Sequence, residues 1–171
     1  MARKAIIAGV LAGAAFLLAF GHYTHQGYVN VVDAGESVRL LDHGFHLRLP
    51  WHRVTTYPIR CRETHVQIFE EGPDVKIHFD GVLYVGIAPD SVLSLHRAYK
   101  GAYMEKVISP IISDFLRNQA EAYGLWEEDV GPQRVTAVML DLLGIEGGKY
   151  GINVTDMWLR SYEAERTTGT F

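Results

Sequence analysis

Apolar and polar positions divide the chain into an uncharged N-terminal stretch, a region of period two and a region of helical period. Residues 5–21 contain no charged side chain and follow Arg3 and Lys4. As a helix, this stretch would span about 26 Å at about 1.5 Å per residue, which is the short end of what crosses a bilayer. The pattern predicts a transmembrane anchor over residues 5–23, after a cytoplasmic N-terminus of residues 1–4.

Two interpretations of this segment stay open. In a single-pass anchor, Arg3 and Lys4 remain on the cytoplasmic side, so the main domain lies in the periplasm of a bacterium or the equivalent space of an organelle. In the rival interpretation the segment is a cleaved secretory signal, for which residues 19–21 are an acceptable cleavage site. The anchor is preferred, and its predicted membrane contacts are Ala5, Leu11, Phe16, Phe20, Tyr23 and Tyr28.

Residues 27–87 are predicted to be rich in strands. Short apolar runs at 27–32 and 37–41 are separated by turn residues, and two more strand-like pieces flank Pro58. The clearest strand covers residues 75–87, where apolar side chains occupy alternate positions. This alternation predicts a sheet with one face buried and the other exposed.

Beyond residue 89 the period changes to that of helices. A short helix is predicted to about Lys100, and a longer one over residues 103–123, where apolar side chains recur every three or four positions. Pro110 lies inside the longer pattern, so it predicts a kink or marks the true start of the helix.

The last third of the sequence predicts one more helix and a returning strand. Pro132 opens the helix and Gly147-Gly148 closes it. A strand follows over residues 150–162, with a bulge expected near Asp156 because the apolar phase changes there. The order of strands, helices and a final strand predicts an α+β fold with helices packed on a sheet.

Four stretches, in the same order along the chain, resemble the SPFH/band 7 family of prohibitins, stomatins, flotillins and bacterial modulators of a membrane AAA+ protease. They are residues 27–32, HGFHLRLPW at 43–51, the long strand followed by Ala-Pro-Asp at 88–90, and residues 103–162 with their ending KYGINVTDMWLRSYE. The resemblance implies an N-terminal transmembrane helix, an SPFH domain over residues 27–163 and a tail of residues 164–171. Family members usually continue into a coiled coil that builds rings, and this sequence lacks that region.

The strand before Pro50 has two interpretations of equal weight. In the family, this early part of the domain lies against the outer leaflet, which predicts an interfacial patch of Phe45, Leu47, Leu49 and Trp51, since tryptophan favours headgroup depth. The alternative is that the row faces the core of the sheet. Further along, Tyr123 and Trp126 lie among acidic residues, for which a solvated loop is the simpler interpretation. The alternative is a partner interface at Tyr123 and Trp126, because exposed aromatic side chains are frequent interface anchors.

The resemblance implies a non-enzymatic scaffold with no catalytic, cofactor or metal residues. Such a scaffold self-associates, or associates with another SPFH protein, and organises or modulates a membrane partner such as a membrane-bound AAA+ protease of the FtsH type. One alternative is a minimal inhibitor or decoy that inserts into another SPFH assembly, motivated by the missing coiled coil. Another is a secreted metal-dependent enzyme, motivated only by eight histidines.

The amino-acid composition narrows the range of partners and sites that this chain is expected to have. The formal net charge of -4 argues against a nucleic-acid partner, which usually requires a basic face. Cys61 is the one cysteine, so neither an internal disulfide nor a cysteine-only zinc site is expected. The predicted partners therefore remain membrane lipid, the chain itself or another SPFH protein, and a membrane-bound AAA+ protease of the FtsH type.

Overall fold

The computed structural model describes residues 2–35, 37–71, 75–125 and 131–166. The chain divides into two compact units, Met1–Tyr57 and Pro58–Phe171. Both units contain antiparallel strands together with helices, so the predicted α+β class is confirmed.

The first unit begins with a helix and continues with five short strands. The helix is α1 (Ala2–Phe20), and the strands are β1 (Gly21–Thr24), β2 (Tyr28–Asp33), β3 (Val38–Leu41), β4 (Gly44–Leu47) and β5 (Arg53–Pro58). Strands β1 and β4 form a two-stranded antiparallel sheet, while β2 lies between β3 and β5 in a second sheet. Three valines of β2 and Tyr57 of β5 are buried and form the core of this unit.

Helix α1 ends earlier than the anchor predicted over residues 5–23. It ends at Phe20, and Gly21 begins strand β1, which therefore contains His22 and Tyr23. A Cβ atom at Gly21 would overlap the carbonyl oxygen of Leu17 and meet the ring of Phe45, so only glycine fits this change from helix to strand. In the part of the chain that the structure describes, we find no helix with the length and apolar character needed to cross a bilayer.

The second unit contains a three-stranded antiparallel sheet with β7 in the centre. Its strands are β6 (Arg62–Glu71), β7 (Val75–Ile87) and β8 (Ile152–Arg166), in the order β6-β7-β8. Strand β7 has the bounds that the period-two pattern predicts, and its side chains at Ile77, Phe79, Leu83, Val85 and Ile87 are buried. Residues 72–74 lie outside the described residues.

Strand β8 is irregular where the sequence predicts a bulge. The register between β7 and β8 shifts between Tyr84 and Val85, whose partners are Asp156 and Val154, so Thr155 is the extra residue. A second shift lies between Asp80 and Gly81. The predicted bulge near Asp156 is confirmed, and the strand continues to Arg166, beyond the predicted domain end at residue 163.

Helical segments connect β7 to β8. They are a 3-10 turn (Pro89–Ser91), α2 (Val92–Tyr99), a π-helical segment (Met104–Ile108), α3 (Ser109–Asn118), a second 3-10 turn (Ala120–Tyr123) and α4 (Pro132–Gly148). The single helix predicted over residues 103–123 is thus three segments. Pro110 lies in the first turn of α3, because proline lacks the N–H that an interior position would need to donate.

Candidate functional site

Three predicted interface residues form one face of the small sheet made by β1 and β4. Tyr23 pairs with Phe45 and Gly21 pairs with Leu47 in this antiparallel sheet. Paired residues and residues two apart share a face, so Tyr23, Phe45 and Leu47 lie side by side. Phe45 is 56% exposed and Leu47 is 61% exposed. Phe45 and Leu47 therefore do not face a core in the first unit, and their contact with a membrane stays a prediction.

The row continues through the turn after β4. Leu49 is exposed, and its carbonyl accepts a hydrogen bond from the His52 N–H at 3.0 Å. This turn presents Trp51, which is 73% exposed and makes an edge contact with the His52 ring. We call Tyr23, Phe45, Leu47, Leu49 and Trp51 the apolar row; all five belong to the first unit.

The remaining predicted anchor residues lie elsewhere in the first unit. Ala5 and Leu11 belong to α1, where Leu11 is exposed. Phe16 and Phe20 stack on each other with ring centroids 4.6 Å apart. Tyr28 is half-buried at the start of β2, so it does not belong to the apolar row.

A polar network lies on the opposite face of β1, beyond the end of α1. The Asn30 side-chain amide donates to His22 Nε2 at 2.9 Å and to Thr24 Oγ1 at 2.8 Å, and its Oδ1 accepts from Thr56 Oγ1 at 2.6 Å. Because an amide nitrogen only donates, the His22 ring must accept through an unprotonated Nε2. Burial, followed by the positive charge of Arg48, lowers the pKa of His22 and favours this neutral ring.

A groove of about 560 Å³ lies in the first unit beside the apolar row. Its lining is mostly apolar and includes four polar side chains: Phe16, Phe20, Val32, Ala34, Ser37, Arg39, Leu41, Leu47, Arg48, Leu49 and His52. Sequence reasoning missed this groove. The feature of the sequence that could have indicated the groove is Arg48, a positively charged residue between two leucines of an apolar strand pattern.

A second groove, of about 420 Å³, lies in the second unit between α3 and α4. The predicted interface residue Tyr123 lines it and packs on Phe115 with ring centroids 5.3 Å apart. Ile145 lines it from α4 and is exposed. Trp126, the other predicted interface residue, lies outside the described residues.

The histidines do not converge on a metal site. Within the described ranges, no group of three or more histidine, cysteine, aspartate or glutamate side chains is arranged to hold a metal ion. His43 Nε2 instead lies 3.3 Å from the Tyr23 hydroxyl, and His46 Nε2 lies 2.7 Å from the Asp42 carbonyl oxygen. Both contacts lie within the first unit.

Comparison with known protein families gives one match. The family model described as SPFH domain / Band 7 family matches residues 23–166, which is most of the chain. A search of curated proteins finds no match.

Proposed function

Since the chain belongs to the SPFH/band 7 family, we propose that it is a membrane-anchored scaffold that self-associates and organises or modulates a membrane partner. Membership implies a membrane-associated scaffold role in general terms, and proteins of this family are generally non-enzymatic. The membrane-bound AAA+ protease that the sequence resemblance suggests is the proposed partner. The proposed orientation places the N-terminus in the cytoplasm and the main domain on the far side.

The observation that supports membrane contact best is the apolar row. Five large apolar side chains of the first unit are exposed, and the preceding helix α1 also exposes large apolar side chains, among them Phe16 and Leu18. Burying a phenylalanine or leucine is worth about 1.5–3 kcal/mol, so five side chains that are 40% to 73% exposed contribute roughly 4–8 kcal/mol when a bilayer covers them. An exposed patch of this kind marks an interaction site.

Helix α1 is the proposed anchor, and what supports it is the exposure of its apolar side chains, since no helix among the described residues meets the length and apolar character of a span. Its described side chains at Val10, Leu11, Phe16, Leu17 and Leu18 are exposed, which suits a lipid environment. Confinement to the membrane plane raises the effective concentration of neighbouring chains, so weak contacts between domains suffice for assembly. The α3–α4 groove with Tyr123 is the proposed contact between copies.

Tryptophan fluorescence in proteoliposomes tests the membrane contact, because the chain provides a matched pair of probes. Trp51 in the apolar row is 73% exposed and Trp158 on β8 is 72% exposed. One full-length variant keeps only Trp51 and the other keeps only Trp158, with Trp126→Phe in both. Vesicles of phosphatidylcholine with brominated acyl chains quench an indole that reaches the acyl region.

We expect strong quenching of Trp51 and much weaker quenching of Trp158. Tryptophan favours the interface between headgroups and acyl chains, so Trp51 should lie within reach of the bromine atoms. Equal quenching of the two probes, or none at Trp51, would show that the apolar row is not the membrane contact.

A further inference from the structure

The groove beside the apolar row combines an apolar lining with positive charge. Phe16 and Phe20 come from the end of α1, and Leu47 and Leu49 come from β4 and its turn. Arg39 and Arg48 also line the groove, whereas none of the described lining residues is a carboxylate. At about 560 Å³ the groove lies within the range of about 300–1,000 Å³ that is usual for small-molecule sites. Its chemistry suits a ligand with an apolar part and an anionic part.

The side chain of Arg48, which lines this groove, does not use all of its hydrogen-bond donors. Its backbone N–H donates to the Phe20 carbonyl at 2.8 Å, which fixes the residue at the C-terminal end of α1. Its side-chain Nη1 lies 3.4 Å from the His52 carbonyl, a long hydrogen bond. Its Nε is buried and, among the described residues, has no hydrogen-bond partner.

A buried donor without an acceptor is unfavourable, so a ligand oxygen would satisfy the Arg48 guanidinium once this side chain turns toward the groove. The planar guanidinium of Arg48 donates in a fork that matches two oxygens of a phosphate. Arg39, which is exposed on β3, adds a second positive charge on the same groove. Because two of the apolar lining residues, Leu47 and Leu49, also belong to the apolar row, a bilayer in contact with the row adjoins the groove.

We propose that this groove binds one anionic phospholipid, with its phosphate on Arg48 and an acyl chain along Phe16, Phe20 and the two leucines. Arg39 supports the negative headgroup. The proposal rests on the proposed function, since the lipid enters from the membrane that the apolar row contacts. It adds a headgroup preference that an apolar row by itself does not provide.

Native mass spectrometry of the full-length protein in detergent micelles tests this proposal. Phosphatidylglycerol or phosphatidylcholine is added at equal concentration, and the fraction of chain that retains one lipid is measured. We expect retention of a single phosphatidylglycerol, and at least about tenfold weaker retention of phosphatidylcholine. Arg48→Gln should weaken phosphatidylglycerol binding about tenfold to hundredfold, because it removes a charge-assisted pair of hydrogen bonds.

Two further variants separate a specific site from general charge or misfolding. Arg48→Lys keeps the charge without the fork and should fall between the wild type and Arg48→Gln. Arg53→Gln, at an exposed arginine of β5 that does not line the groove, should bind as the wild type does. If Arg53→Gln and Arg48→Gln weaken binding equally, the site is not at Arg48.

Other outcomes overturn the proposal in distinct ways. Equal retention of the two lipids, with no effect of Arg48→Gln, would show that the groove has no preference for an anionic headgroup. Displacement of the lipid by inorganic phosphate at equal concentration would show that the groove binds a free anion. In both cases the quenching of Trp51 by brominated phosphatidylcholine would persist, whereas failure of the proposed function would remove that quenching in the wild type.

Discussion

Replacing Asn30 by alanine should destabilise the first unit strongly. Asn30 is 3% exposed and makes three side-chain hydrogen bonds, with His22, Thr24 and Thr56. Each such bond contributes about 0.5–1.5 kcal/mol net, and a buried partner left without a bond adds a penalty. Thr24 is fully buried. The expected cost of Asn30→Ala is therefore about 2–4 kcal/mol, a large part of the total stability of about 5–15 kcal/mol that is typical of a domain.

Amide hydrogen exchange of the full-length protein in detergent measures this cost locally. A measurement that resolves the two compact units is the most direct here, because only the first unit is expected to change. A loss of about 2–4 kcal/mol corresponds to a loss of exchange protection of roughly 30-fold to several hundred-fold in β2 peptides. Peptides from β7 in the second unit provide the internal reference.

Asn153→Ala is the matched control. Asn153 is exposed on β8, and a surface substitution of this kind usually changes stability by less than about 0.5 kcal/mol. If Asn30→Ala reduces the protection of β2 no more than Asn153→Ala does, the Asn30 network does not stabilise the first unit and the reasoning is refuted.

Three further predictions concern the second unit. The Tyr162 hydroxyl donates to the Leu125 carbonyl at 3.0 Å, and burial raises the pKa of Tyr162 to about 12 from 10.0. The contribution of the neutral Tyr162 side chain to stability is therefore complete below pH 10 and is lost as the pH rises to about 12. Tyr162→Phe should lower the free energy of unfolding by about 1 kcal/mol at neutral pH. It should also make the decline of this free energy at alkaline pH less steep, as measured by urea unfolding. Gly151→Ala should lower the melting temperature, because the φ of +72° is unfavourable for alanine and the new Cβ would overlap the Ser91 side chain. Tyr123→Ser should reduce the mass of the complex measured by light scattering in mild detergent.

The chain offers a matched control for two of these three changes. Gly148→Ala places a Cβ in open space at the end of α4 and should leave the melting temperature within a few degrees of the wild type. Tyr150→Ser removes a tyrosine that is 42% exposed outside the groove, compared with 49% for Tyr123, and should leave the mass unchanged. An unchanged alkaline slope in Tyr162→Phe, or equal effects within either control pair, would contradict the corresponding prediction.

The sequence by itself determined the order and type of most elements. Strand β7 was predicted with its exact bounds because alternating apolar residues satisfy only a strand with one buried face. Helix α4 was predicted from Pro132 at its start and the two glycines at its end, since these residues act through local backbone conformation. The resemblance to the SPFH/band 7 family was confirmed by the family match.

Tertiary structure decided which faces are exposed and which distant residues meet. Period two places Phe45 and Leu47 on one face, but only the packing of the first unit leaves that face open. Asn30 and Thr56 are 26 positions apart, and the groove around Arg48 forms because the end of α1 is hydrogen-bonded to Arg48, the residue after β4. Such contacts depend on how separate elements pack, and that information is not contained in the local periodicity of any one segment.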